Sequence, residues 1–427
     1  MTRMKESGID WIGQIPEEWE VIKFKFLGDV KQGLTYSPSD IVDKDEGILV
    51  LRSGNIQNGV LDFTNNVYVK TKVAESIVLR KNDILITARN GSSALIGKNA
   101  IIDTDIKATF GAFMMVFRTN KSLIAKFAFY LMNISFNFYR TFFTTSTVNQ
   151  LTAAIFNGIE VPLPSISEQQ KIAYFLDKKT SQLDKAKNLL EEQIQKLKDY
   201  RASLIYETVT KGLDKTVPMK DSGIDWIGQV PEGWGVKPLK YLASYDDETL
   251  TQSEINSNQK INYVDIGAVE FTKGINGYQE LLMSEAPSRA RKIAKKGDTI
   301  ISTVRTYLKA IAYLNDDYIV STGFCVVHPK KVNSKYLNYT IMSDSFTGPV
   351  SKYAWGVSYP AISSSQLVNI PIPFPESIEE QLSIVDYLDH KMLQINQLID
   401  IKQEQIDNIN KQRQTLIYDY VTGKRRV

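Results

Sequence analysis

Residues 165–211 contain neither glycine nor proline, and this uninterrupted run constrains the fold more than any other feature of the chain. Leucine recurs along it with a seven-residue period, and Ile194 and Arg201 each follow one of these leucines by four residues. The repeating positions are Leu183, Leu190, Leu197 and Leu204. A seven-residue apolar period is typical of a coiled coil, in which the apolar seam of one helix packs against another helix.

Both ends of this run carry signals that start or stop a helix. Ser165 followed by Glu168 predicts a capping box, and Gly212 can adopt the left-handed conformation that ends many helices. A helix of roughly 45 residues between these signals would be about 68 Å long, at 1.5 Å per residue. A compact domain does not need such a helix, so we predict a spacer whose seam requires a partner.

The chain supplies that partner because it is a tandem duplication. The block at residues 4–19, MKESGIDWIGQIPEEW, returns at residues 219–234 as MKDSGIDWIGQVPEGW. The helix end at residues 201–210, RASLIYETVT, returns at residues 413–422 as RQTLIYDYVT. Chance does not produce repeats of this length in register. We call residues 4–19 and 219–234 the framework blocks.

The second helix repeats the signals of the first. Ser377 and Glu380 repeat the predicted capping box, and the two seams share one phase. The matching seam positions are Leu183 with Ile395, Ile194 with Ile406, and Leu197 with Ile409. We therefore predict two long helices paired antiparallel, with an approximate two-fold relation between the halves of the chain.

Two divergent segments, residues 28–160 and 243–371, separate the repeated parts. Their sequences barely match, but the pattern KNDILIT at residues 81–87 parallels KGDTIIS at residues 296–302, each a turn that leads into a buried strand. Short strands and polar loops predict two mixed, strand-rich domains, so the fold class is α+β. The predicted boundaries are 1–163 and 215–375 for these domains, with helices at 164–214 and 376–427. One architecture that presents two different surfaces indicates bipartite recognition.

Composition excludes several classes of protein. With 427 residues, of which 43% are hydrophobic, the chain has enough apolar material for two or three packed domains. We expect a cytoplasmic protein, because no apolar run is long enough to span a bilayer and the start lacks a signal-peptide core. Cys325 is the only cysteine and is expected to be buried. The net charge of +3 neither requires nor excludes nucleic acid.

Four duplicated motifs carry a resemblance to a known family. They are the framework blocks, a Pro-x-Pro lead before each long helix, the helix starts EQQKIAYFLD and EQLSIVDYLD, and the helix ends quoted above. Together they resemble the specificity subunit of Type I restriction-modification systems. The resemblance covers essentially the whole chain, in the order recognition domain, helix, recognition domain, helix.

The resemblance implies a DNA reader without catalytic activity of its own. Each recognition domain would read one half of a bipartite, asymmetric site in double-stranded DNA through the major groove. The paired helices would set the spacing and dock two modification (methyltransferase) subunits, which restriction (endonuclease and translocase) subunits join. The cofactors S-adenosylmethionine, ATP and Mg would belong to those partner subunits, and none is expected on this chain.

The residues themselves also argue against an enzyme. Adenine methyltransferases need an Asn/Asp-Pro-Pro-aromatic loop, and no two prolines of this chain are adjacent. No phosphate-binding loop has the required spacing, and two histidines are too few for a His/Cys metal site. Asp103, Asp105 and Lys107 could place a metal, but the second domain has no counterpart and a solvated turn explains them.

Base edges and phosphates are contacted by polar side chains held on loops, and both domains have such loops after buried strands. In the first domain the predicted DNA-binding residues are Arg52, Ser53, Asn55, Arg89, Asn90, Ser92, Ser93, Thr145, Ser146, Asn149 and Gln150. In the second domain they are Arg305, Thr306, Tyr307, Lys309, Trp355, Ser358 and Tyr359. Corresponding loops differ in chemistry, as two different half-sites require.

Structural roles compete with these predictions. Polar loops are solvated by default, and Trp355 and Tyr359 could pack against their own domain. The framework tryptophans, Trp11, Trp19, Trp226 and Trp234, are expected to be packing anchors. Arg201 and Arg413 lie in the seam, where we expect them to pair across it or with a partner carboxylate.

Two other functions stay open from the residues alone. The helices could form an assembly scaffold whose variable domains bind protein or another ligand instead of DNA. The chain could also be an enzyme fused to its own reader, which the missing motifs disfavour.

Overall fold

The structure is a computed structural model that describes residues 3–143 and 149–427. It divides into two compact units. The first unit consists of Met1–Leu190 together with Glu404–Val427, and the second is Glu191–Gln403. Each unit therefore combines one recognition segment with parts of both long helices, whereas the predicted domain boundaries separate helices from domains along the chain.

The first unit contains two four-stranded sheets. The strands of one, in spatial order, are Asn99–Ile101, Ile84–Thr87, Met114–Thr119 and Gly28–Gln32, all antiparallel. Those of the other are Ala108–Phe110, Ile48–Leu51, Val67–Val69 and Ile41–Val42, the first pair parallel. Three two-stranded pairs complete the strands: Met4–Glu6 with Gln14–Pro16, Glu20–Lys23 with Glu160–Leu163, and Ile56–Gln57 with Val60–Leu61. Its own α-helices are Ala125–Tyr139 and Ala153–Gly158.

The second unit repeats this arrangement, except that the outer strand of its second sheet, Ala290–Ala294, lies at the edge opposite to that of Ile41–Val42 in the first unit. Its first sheet is Ile311–Tyr313, Thr299–Ser302, Phe324–Pro329 and Ala243–Tyr245, and its second is Ala290–Ala294, Tyr318–Ser321, Lys260–Val264 and Gln279–Leu282. Its two-stranded pairs are Met219–Asp221 with Gln229–Pro231, Trp234–Pro238 with Pro371–Pro375, and Val269–Glu270 with Gly274–Ile275. Its own α-helices are Gln252–Ile255, Ser334–Met342, Asp344–Tyr353 and Ser364–Leu367. The strand-rich α+β prediction is confirmed.

The two long helices form close to where the sequence predicts them. The first long helix is Ile166–Lys211 and the second long helix is Ile378–Val421. Gly212 and Gly423 follow their ends with φ of +69° and +73°, the left-handed conformation that glycine adopts without steric cost.

The predicted capping boxes form only in part. The Ser165 hydroxyl accepts a hydrogen bond from the Glu168 amide at 3.3 Å, and Ser377 accepts one from Glu380 at 3.2 Å. The side chains of the two glutamates do not complete the reciprocal bond that we predicted. Their carboxylates instead accept hydrogen bonds from framework tryptophans, because the framework block packs directly over the helix start.

Within the first unit, the segments of the two long helices run antiparallel. The rings of Phe175 and Tyr420 lie 4.5 Å apart, and Arg413 lies 3.5 Å from the carboxylate of Asp184. From the first contact to the second, the residue number increases on the first long helix and decreases on the second, so the two helices are antiparallel.

The second unit contains the equivalent pairing. Lys402 donates a hydrogen bond to Gln193 at 2.6 Å, and Arg201 donates one to Oδ1 of Asn396 at 2.7 Å. The antiparallel pairing and the prediction that Arg201 and Arg413 act across the seam are both confirmed.

Each hydrophobic core includes residues from the end of a long helix. Ile417 and Val421 are buried in the core of the first unit, and Ile205 and Val209 are buried in that of the second. Burial of these apolar side chains fixes the helix ends to their units. The framework tryptophans contribute to the same cores as predicted: Trp19 and Trp234 are buried, and Trp11 and Trp226 are packed against the clusters.

Candidate nucleic-acid interface

In the first unit, the predicted loops meet at one end of a sheet. Arg89 forms a backbone bridge with Gln150, and its guanidinium donates a hydrogen bond to the Gln150 side chain at 2.7 Å. Asn149 donates to the carbonyl of Gly91 at 3.1 Å. Loops far apart in the sequence therefore form one continuous surface.

A groove with a volume of about 1220 Å³ runs along this surface. Its lining includes five of the residues predicted to bind DNA: Arg52, Ser53, Arg89, Asn90 and Asn149. The structure thus brings together side chains from three different connections. The predicted Thr145 and Ser146 lie outside the described residues.

Ser53 is the point at which two of these loops are joined. Its hydroxyl lies 3.5 Å from Nδ2 of Asn90, which can donate to it, and it also accepts a hydrogen bond from Thr87 at 3.3 Å. The Lys98 ammonium donates to the Ser53 carbonyl at 3.4 Å. Burial lowers the pKa of Lys98, since desolvation disfavours its charged form. Sequence reasoning missed Lys98 because only the fold places it behind this loop.

The structure gives other predicted residues of the first unit different surroundings. Asn55 is buried: its Oδ1 accepts from the Arg52 amide at 2.9 Å, and its Nδ2 donates to the Asp62 carbonyl at 2.9 Å. We therefore assign Asn55 to holding the loop and leave it out of the proposed interface. Ser92 and Ser93 are exposed beside the groove.

An exposed aromatic side chain in this groove was missed by sequence reasoning. Phe113 is 61% exposed, and the Arg89 guanidinium lies over its ring at 5.8 Å from the centroid. Tyr36 also lines the groove. Exposed aromatic faces can contact bases, and a lone aromatic residue in the turn of residues 111–113 was the available signal.

The second unit brings its two predicted loops together in the same way. Val304 forms a backbone bridge with Ala361, and the Arg305 guanidinium lies 4.9 Å from the ring centroid of Tyr359. Arg305 has a φ of 51°, a left-handed conformation that is uncommon for arginine. Both units thus place an arginine over an aromatic ring, but the ring comes from the turn of residues 111–113 in the first unit and from the loop of residues 353–359 in the second.

The exposed surface of the second unit is aromatic. Trp355 is 89% exposed and Tyr359 is 64% exposed, so the alternative that they pack inside their own domain is wrong. Tyr307 and Ser358 are also exposed beside them. Exposed large apolar side chains of this kind mark interaction surfaces.

Two predicted residues of the second unit have other contacts. Thr306 is buried, and the Lys309 ammonium lies 2.8 Å from the carboxylate of Asp344. Lys309 has a φ of 46° at the position where the first unit has Gly97, whose φ is 81°. These contacts support the loop, so we place Thr306 and Lys309 behind the proposed interface.

A loop of the second unit that corresponds to residues 52–55 was also missed. Residues 265–268 follow the Lys260–Val264 strand, as residues 52–55 follow Ile48–Leu51. Asp265 therefore takes the place of Arg52, and Arg289 lies 4.0 Å from its carboxylate. The shared glycines, Gly54 and Gly267, were the available signal. The two units present opposite charges at this corresponding position.

Groups that could support catalysis have ordinary structural surroundings. Cys325 is buried, and this burial raises the pKa of its thiol to about 12, which makes it a poor nucleophile. Among the described residues, no cluster of three His, Cys, Asp or Glu side chains could hold a metal ion.

Within residues 3–143 and 149–427, no helix has both the length and the apolar character needed to cross a membrane.

Comparisons with known proteins agree with this architecture. The sequence model of the Type I restriction modification DNA specificity domain matches residues 16–198 and 231–411. The Type I restriction enzyme MjaVIII specificity subunit of Methanocaldococcus jannaschii is 26% identical over 97% of this chain and 94% of that relative. The EcoKI specificity subunit of Escherichia coli (strain K12) is 31% identical over 45% of this chain and 43% of its own length.

A similar fold occurs in a solved structure that describes complex assembly and conformational transition of the type I R-M system. That chain matches with a TM-score of 0.69 at 18% identity, over 96% of this chain and 99% of its own length. The likeness extends over both units.

Proposed function

This chain belongs to the Type I restriction modification DNA specificity family, and we propose that each of its two units reads one half of a bipartite DNA site. It is the specificity subunit of a Type I restriction-modification system. The finer assignment, in which the first unit reads one half-site and the second unit the other, is supported by the contrast between their loops.

One observation carries this proposal. Each unit places an arginine that follows a buried strand over an aromatic ring, Arg89 over Phe113 and Arg305 over Tyr359, but the two rings come from different loops and their surroundings differ in kind. The groove at Arg89 combines the polar side chains of Arg52, Asn90 and Asn149 with apolar surface, whereas Trp355, 89% exposed, lies on the loop that carries Tyr359 beside Arg305. Base edges in the major groove differ in their donors, acceptors and methyl groups, so different loop chemistry selects different bases.

We propose that the interface consists of those predicted residues that are exposed or half-buried. In the first unit these are Arg52, Ser53, Arg89, Asn90, Ser92, Ser93, Asn149 and Gln150. In the second unit they are Arg305, Tyr307, Trp355, Ser358 and Tyr359. Phe113 and Tyr36 join the first group.

The chain acts in this proposal as a non-catalytic reader and assembly platform. Its paired helices dock two modification subunits, which bind S-adenosylmethionine, and restriction subunits bring ATP and Mg. Since its target is DNA, we place it in the cytoplasm. A scaffold that binds only protein is disfavoured, because the family is defined by a DNA specificity domain.

Selection of DNA by the assembled complex tests the proposal. The chain, together with a modification subunit, is mixed with random duplexes at moderate salt, and the retained duplexes are sequenced. We expect two short conserved elements separated by a spacer of fixed length. Recovery of a single continuous element, or of no selected sequence, would contradict the proposal.

A further inference from the structure

A cavity of about 260 Å³ in the second unit lies apart from the loops described above. Its lining includes Arg201 from the first long helix, Asn396 and Met392 from the second, Asn338 from the Ser334–Met342 helix, and Lys273 from a hairpin turn. Its polar lining distinguishes it from a packing defect, because empty cavities in proteins are apolar.

The positive charge of Arg201 is not balanced in this cavity. Its guanidinium donates a hydrogen bond to the neutral Asn396 amide, and within the described part of the chain no carboxylate lies at ion-pair distance. Burial therefore lowers the pKa of Arg201 without an opposing charge. A half-buried cation of this kind would gain stability from an anion.

The corresponding place in the first unit differs at two positions. Tyr130 donates to Asp177 at 2.6 Å and Tyr339 donates to Asp389 at 2.6 Å, which aligns the two units. By this alignment Asn338, which precedes Tyr339, takes the place of the buried Phe129. A small amide replaces a phenyl ring, which leaves space.

The second difference removes an acid. Arg413 of the first unit has Asp184 as its partner, whereas its counterpart Arg201 has Asn396. Compared with the first unit, the second unit therefore lacks a carboxylate at the place where its cavity lies. A dissolved anion could restore the missing charge.

Asn338 further restricts the ligand. It is about nine-tenths buried, and its Oδ1 has no hydrogen-bond partner among the described residues. Its Nδ2 is 3.3 Å from the sulfur of Met342. An unsatisfied buried acceptor requires a donor, so a suitable ligand carries a hydroxyl group as well as negative charge.

We propose that this cavity binds a small oxyanion that also carries a hydroxyl donor, such as hydrogen phosphate. Arg201 supplies the balancing charge, Asn338 accepts the hydroxyl hydrogen, and Lys273 adds positive charge at the hairpin turn. Glu270 offsets Lys273 in part, at 2.9 Å. The ligand connects both long-helix segments to the hairpin within the second unit.

Calorimetric titration of the full-length chain with inorganic phosphate, at constant ionic strength in sodium chloride, tests this site. We expect saturable binding and a rise in melting temperature of about 5 °C at about a hundred times the dissociation constant. Sulfate has no hydroxyl hydrogen at pH 7.5, so it should bind about ten-fold more weakly.

Variants from both units make the test specific. Asn396→Asp restores the acid found in the first unit and should abolish phosphate binding, as should Arg201→Gln. The matched change in the first unit, Arg413→Gln, should leave phosphate binding intact. Absence of saturable binding to the wild-type chain would overturn the proposal, and so would unchanged phosphate affinity in Asn396→Asp.

Discussion

The indole Nε1 of Trp234 donates a hydrogen bond to Oε1 of Glu380 at 3.0 Å. In the other unit, Trp19 donates to Glu168 at the same distance of 3.0 Å. Each bond joins a framework block to the first turn of a long helix. The duplication has thus kept a contact between residues that are far apart in the sequence.

Replacing Trp234 by phenylalanine should destabilise the second unit by about 1 kcal/mol, because a hydrogen bond to a carboxylate is lost while most of the apolar contact stays. Hydrogen exchange of the full chain should show faster exchange at the start of the second long helix. Trp19→Phe is the matched control and should affect only the first unit. Equal effects on both helix starts from either variant would contradict this assignment.

The stability of the second unit should depend on pH through His328. Its Nδ1 lies 2.9 Å from the Asp298 carboxylate, which raises the pKa of His328, with Asp247 and Glu248 adding to the effect. Because the pKa of His328 is higher in the folded than in the unfolded state, protonation of His328 stabilises the fold. This stabilisation is fully present below the pKa of the unfolded state, about 6.5. That stabilisation should disappear as the pH rises through the folded pKa.

The first unit supplies the control for this pH dependence. Arg118 occupies the place of His328 and forms an ion pair with Asp83 at 2.7 Å. Arginine stays charged throughout this range. Denaturant unfolding followed from pH 6 to 9 should therefore show loss of stability in the second unit only, and His328→Arg should remove it. A pH-independent wild type would refute the assignment.

Replacement of residues 28–160 by the corresponding segment of another specificity subunit should change one half-site only. The physical reason is that these residues supply the loops of the first unit, while the second unit keeps its own. Methylation sequencing of a host that expresses the chimera with its partners measures the outcome. Changes in both half-sites would argue against independent units.

Insertion of one heptad into each long helix, with the first insertion between residues 181 and 198, should lengthen the DNA spacer. Seven residues keep the seam in phase and add about 10 Å, which corresponds to about three base pairs. Sequencing of selected duplexes gives the spacer directly. An unchanged spacer would show that the helices do not set the distance.

Arg89→Ala should lower DNA affinity about ten-fold and relax selection in the first half-site, as expected when one base-contacting arginine is removed. Arg305→Ala should do the same in the second half-site. Binding measured at one fixed salt concentration on duplexes mutated in either half separates the two effects. A uniform loss on all duplexes would indicate phosphate contact instead of base contact.

Much of the framework could be predicted from the sequence because its signals are local or repeated. Heptad spacing placed Leu183 and Ile194 in the seam, and Gly212 marked the helix end. The loops after buried strands were also predictable, since a strand followed by polar residues needs no long-range information. That reasoning located Arg89 and Arg305 on the surfaces that the structure brings together.

The tertiary structure alone decided which side chains in those loops are exposed and which are buried. Asn55 and Thr306 look like readers in the sequence, but packing buries them. Phe113 reaches the groove beside Arg89 only through pairing of strands that are distant in the sequence. Sequence determined the duplication, the helix lengths and the seam, because these depend on spacing along one chain. Packing decided the glutamate–tryptophan contacts, the grouping of helix segments into units and the cavity at Arg201, because these depend on three-dimensional proximity.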